Sequence, residues 1–157
     1  MGFFDKLASS IPGYAGYTER ERRRETDQAL RGAVARQMSD RRFAIHRLIA
    51  EAVRTMRYDT LEPLESVGRR LESLSALVYR GAPAGYAGLF DRQNVDEPEL
   101  DRLLEHDVRV RDTVEDLIAR IDVLTLADGA ELRNVERVLS DLEEAVRRRE
   151  ELVRGVA

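Results

Sequence analysis

The chain has no cysteine and no tryptophan, a single lysine, two histidines and four prolines among its 157 residues. Without cysteine there is no disulfide, no thiolate metal site and no thiol nucleophile. The two histidines, His46 and His106, leave little material for a Ser/His/Asp site, and no serine sits in a nucleophile elbow. Long apolar runs are missing too. No stretch approaches the ~20 residues needed to cross a bilayer, and the N-terminus lacks the basic region and long apolar core of a secretory signal. Val, Ile and Thr never gather into the alternating runs of a strand. These absences predict a cytoplasmic, all-α, non-enzymatic protein with no cofactor.

What is present is charge at helical spacing. Charged residues make up 36% of the chain, the net charge is −4, and every basic residue except Lys6 is arginine. Four segments repeat apolar residues with a period of 3.5 to 3.6, and each opens on a capping signal. The first runs from about 19 to 57 behind Thr18 and Glu21, with the stripe Leu30, Val34, Met38, Ile45, Leu48, Ala52, Met56. It keeps one phase across Ser39 and Asp40, which predicts a single continuous helix with the polar Arg41 on its seam. The second opens at Asp59-Thr60, carries Pro63 in its first turn and stops at Gly81-Ala-Pro83. Its mid-helix Gly68 is either the mark of a close helix crossing or an unremarkable exposed glycine. The third opens at Asp96 and includes Val110, Val114, Leu117 and Ile121. The fourth opens at Asp128-Gly-Ala-Glu131 and includes Leu132, Val135, Leu139, Leu142 and Val146.

Helices joined by short links become antiparallel neighbours. Links near 58–59 and 127–129 predict two helical hairpins, 18–80 and 96–154, forming a four-helix up-down bundle. The tetrapeptide GYAG occurs at 13–16 and again at 85–88, ahead of each hairpin. Asp27, Leu30 and Val34 recur as Asp107, Val110 and Val114 at a constant offset of 80 residues. Together these suggest an internal duplication of 13–84 and 85–157 within one domain, 13–157. Residues 19–57 carry 11 arginines and 6 acids, whereas 91–128 carry 12 acids and 5 arginines. Opposite charge favours the first and third helices as neighbours.

Three groups of residues invite a functional reading. Duplication symmetry places Tyr14 and Tyr86 of the GYAG loops at one end of the bundle, near Asp27 and Asp107. A tyrosine hydroxyl donating to a half-buried aspartate satisfies both groups, and Arg41 is a second candidate partner for Asp107. The set reads either as a structural clasp or as a small-molecule or metal pocket. The acids around His106 contain no Glu-x-x-His pair of the di-metal bundle type, so no metal ligands are assigned. The runs Arg22–Arg24 and Arg147–Arg149 are bracketed by glutamates and read as ion-paired helix faces, not a nucleic-acid surface. Residues 1–12 are amphipathic: Phe3, Phe4, Leu7 and Ile11 share one helical face. That stripe either folds onto the bundle or docks on a membrane surface or a protein partner. The sequence therefore predicts an interaction or adaptor protein, with a ligand-binding bundle as the alternative.

Overall fold

The computed structural model describes residues 20–80 and 97–154, and within them the side chains of 31–79, 106, 109–149 and 151–152. Four α-helices account for nearly all of this: α1 (Arg20–Arg54), α2 (Leu61–Arg80), α3 (Glu97–Val123) and α4 (Gly129–Arg154). A 3-10 turn, Tyr58–Thr60, leads into α2. There is no strand among the described residues.

The continuity of α1 follows from its seam. Met38, Ile45 and Ala52 are spaced seven residues apart and all are fully buried, so one face stays against the core through Ser39 and Asp40. No glycine or proline between 33 and 54 interrupts it. The helix ends on a Schellman motif. The Arg57 N–H donates to the Ala52 carbonyl (2.8 Å) and the Met56 N–H to the Val53 carbonyl (3.3 Å). Met56 occupies the left-handed position with φ 59°. The sequence stripe puts Met56 in the core; the chain reversal turns it out to solvent, where it is 75% exposed.

α2 and α4 each bury a strict 3-4-3-4 ladder. In α2 it is Leu64, Val67, Leu71, Leu74 and Val78; in α4 it is Leu132, Val135, Leu139, Leu142 and Val146. The two ladders have the same residue type at every step and stand 68 residues apart. The last residues of α1 and α3, Arg54 and Val123, differ by 69, and Leu48-Ile-Ala50 recurs there as Leu117-Ile-Ala119. Around the links between their helices the two hairpins therefore correspond at 68 to 69 residues. The offset of 80 that pairs Val34 with Val114 joins two buried residues at different distances from their helix ends.

The core is continuous across all four helices. α1 packs along α2, and α3 along α4; narrower contacts join α1 to α3 and α2 to α4. The oppositely charged first and third helices are thus neighbours, as their composition predicts. Their contact is staggered: Arg41, 13 residues before the end of α1, meets Asp122, one residue before the end of α3. Gly68 is buried against α1, and a Cβ there would stand 3.6 Å from Ile45 Cγ2. Its burial rules out the exposed reading, and the helices cross there at a distance that leaves room for a Cβ in ordinary contact. Leu48 and Val110, placed in the core by their spacing, are only partly buried at its edge.

Candidate interaction surface

The charged side chains of the described residues mostly tie helices together. Arg41 donates from Nε and Nη2 to the two carboxylate oxygens of Asp122 (3.0 and 2.8 Å), and from Nη1 to Gln37 Oε1 (2.8 Å). Its guanidinium is thus engaged by Asp122, four turns further along α3 than the expected partner Asp107. The stagger of α1 against α3 is the reason, since it brings the middle of α1 to the C-terminal end of α3. The side chain of Asp107 lies outside the described residues, as do those of Tyr14, Asp27 and Tyr86. The apolar stripe Phe3, Phe4, Leu7 and Ile11 also lies outside them.

Two further bridges tie helices together, the first between partners remote in sequence. Arg70 on α2 grips Glu143 of α4 with both Nε and Nη2 (2.8 and 2.9 Å) and reaches Ser140 Oγ (2.7 Å). The hydrogen bond to Glu143 is the largest influence raising its pKa above the usual arginine value, against a smaller lowering by burial. Arg120 joins Asp116, one turn back on α3, to Glu131 at the start of α4 (3.0 and 2.8 Å). Those two carboxylates likewise raise its pKa, Asp116 foremost. Partners 73 residues apart leave no local pattern for a sequence reading to find.

His106 is buried, and its Nε2 lies 2.6 Å from the carbonyl oxygen of Ala145 on α4. An oxygen that can only accept requires Nε2 to carry the proton and donate. The histidine within the acid-rich stretch is therefore a tie between α3 and α4. His46 is exposed, as expected for a residue beside the seam. Among the described residues no three His, Asp or Glu side chains converge as a metal site would require. The Arg147–Arg149 run behaves as an ion-paired face in part: Arg148 pairs with Glu144, one turn back.

The outer side of the α1–α2 hairpin holds a shallow groove of about 450 Å³. Small residues form its floor, among them Gly32, Ala35 and Ala76, and Tyr79 stands at one end. Ser75 Oγ donates to the Ala35 carbonyl (2.8 Å), which holds α2 close to α1 here. Arg42 and Glu72 close the other end as an ion pair (2.9 Å). Beside the groove runs the outer face of α1, with Phe43 and Val53 exposed among Arg36, Arg47 and Arg54.

Comparison with protein-family models, with curated proteins and with solved structures finds no match for this chain. No helix among the described residues is long and apolar enough to cross a membrane.

Proposed function

We propose that the protein is a non-enzymatic interaction or adaptor protein of the cytoplasm. In this proposal residues 1–12 dock it on a membrane surface or a larger assembly. The observation that carries the proposal is the division of labour among its large side chains. The described interior is filled mainly by aliphatic residues, joined by Met38, Thr60 and His106, while Phe43, Val53, Met56, Tyr58, Leu77, Tyr79 and Val123 stand exposed on the outside. Aromatic residues, methionine and arginine are the types enriched at the centres of protein interfaces. Lysine, which interfaces disfavour, occurs once in the whole chain.

The scaffold in this proposal is an up-down bundle of two hairpins that arose by duplication of one hairpin. The matched ladders of α2 and α4 and the repeated Leu-Ile-Ala of α1 and α3 support that origin. Duplication would explain why the parallel pairs α1/α3 and α2/α4 share their apolar registers while their charged faces have diverged.

Liposome co-sedimentation of the full chain and of residues 13–157 tests the docking role. Binding by the full chain alone supports a membrane partner. If neither binds, affinity capture with the same two proteins decides the remaining branch. Retention of the same partners by both would remove residues 1–12 from the docking role.

A further inference from the structure

We propose that the outer face of α1 pairs with the same face of a second copy of the chain, antiparallel, about a two-fold axis beside Phe43. Arg36, Asp40, Phe43, Arg47, Ala50 and Arg54 are all exposed and recur every three to four residues, with the exposed Glu51 beside Ala50, so they form one stripe along the helix. Phe43 is 60% exposed at its middle. The ring lies 5.8 Å from the guanidinium carbon of Arg42, its neighbour in the chain.

Of its charges, Arg36, Asp40, Arg47 and Glu51 have no side-chain partner among the described residues. Each basic residue has an acid four positions on, Arg36 with Asp40 and Arg47 with Glu51. That order, cation before anion, is the weaker one for an intrahelical pair. Among the described residues these charges are available to a partner.

Their order also specifies the partner. From Arg36 to Glu51 the signs run plus, minus, plus, minus, and Arg54 adds a plus at the end of the helix. An anionic lipid surface or a uniformly acidic helix would bring negative charge against Asp40 and Glu51 as well as against the arginines. A second copy laid antiparallel meets Arg36, Asp40, Arg47 and Glu51 each with its opposite, and sets Arg54 opposite the uncharged Ala33. The pairs Asp40–Arg47 and Arg36–Glu51 are both centred midway between Phe43 and Ala44. A two-fold axis at that point therefore places Asp40 opposite Arg47 of the second copy and Arg36 opposite its Glu51, each pair occurring twice. Phe43, next to the axis, meets its own counterpart. An isologous interface has this property by symmetry: if residue i meets residue j, then j meets i. The inner pairs lie about 5 Å from the axis along the helix and the outer pairs about 11 Å, at 1.5 Å per residue.

A contact of one helix from each copy is smaller than the roughly 1,600 Å² of a standard stable interface. The dimer is accordingly weak, with a dissociation constant on the order of 10–100 µM. It uses none of residues 1–12, so it is independent of the docking role proposed above.

Sedimentation equilibrium of the full chain at low salt, over a concentration range spanning that constant, reads the dimer directly. Asp40→Arg and Arg47→Asp each place like charges opposite one another twice, and each is expected to weaken the dimer about tenfold or more. The double variant Asp40→Arg/Arg47→Asp restores opposite signs across the axis and is expected to recover the wild-type constant to within about threefold. Both residues are exposed, and far-UV circular dichroism of the three variants checks that the fold is unchanged. A chain that stays monomeric across the range overturns the proposal. So does a dimer that the single variants leave intact or that the double variant fails to recover.

Discussion

Met56 is the one non-glycine residue with positive φ among those described, and it sits where a Schellman motif ordinarily places glycine. A β-carbon in the left-handed region costs about 1 kcal/mol, and the exposed Met56 side chain gains little packing in return. Met56→Gly is therefore expected to raise stability by about 0.5–1 kcal/mol, net of the greater freedom of glycine in the unfolded chain. Urea denaturation measures it, and a loss of stability would show that the methionine side chain holds the link in place. Gly68 presents the opposite case, a glycine where a helix prefers alanine. An added methyl would make an ordinary contact at 3.6 Å with Ile45, so Gly68→Ala is expected to add about 0.5–1 kcal/mol from helix propensity. A drop in melting temperature would mean that α1 and α2 cannot yield even at that distance. Neither residue is legible alone. Gly68 interrupts a good helical pattern without saying what faces it, and Met56 continues an apolar phase that the chain reversal cancels.

Among the elements, the helices and their phases were legible because a 3.6-residue apolar stripe is a local signal carried by residues a few positions apart. The ladders Leu64–Val78 and Leu132–Val146 each follow from helical spacing, and the sequence already contains their shared residue order. The GYAG copies and the offset of 80 drew attention to another register, and only the helix boundaries reveal the one at 68 to 69. Interhelical pairs such as Arg41–Asp122 and Arg70–Glu143 were not legible, since composition favours α1 beside α3 without fixing their stagger. Capping signals were partly right. Asp128 does cap α4, accepting the Glu131 N–H at Oδ1 (2.8 Å). Glu131 does not complete the box: its carboxylate instead accepts from Arg120 and Asn134. Thr60, expected to open α2, turns its hydroxyl back to donate to the Arg57 carbonyl (2.7 Å). Because Asp128 is the working half of its motif, Asp128→Ala is expected to cost about 1 kcal/mol, while Asp128→Asn and Asp128→Ser cost less. Equal stability of the alanine and asparagine variants in thermal melts would show that the cap contributes nothing at this link.

For the molecule as a whole, the question is whether the folded unit needs its first twelve residues. Every buried apolar side chain among the described residues lies between Val34 and Val146 and belongs to α1–α4 or the turn after α3. Twenty such residues form one connected cluster, enough for a cooperative core without help from the N-terminus. Phe3, Phe4, Leu7 and Ile11 would add several kcal/mol if buried against this core, at about 25 cal/mol per Å² of apolar surface removed from water. For a domain of this size each kcal/mol moves the melting temperature by roughly 2–4 °C. Removal of residues 1–12 therefore separates the two uses of the stripe. If it serves an outside surface, the truncated chain is expected to melt within about 2 °C of the full chain while losing its docking partner. A fall of about 5 °C or more would assign the stripe to the core instead. Calorimetry on the two proteins at equal concentration, low enough to keep α1 unpaired, measures this without interference from self-association.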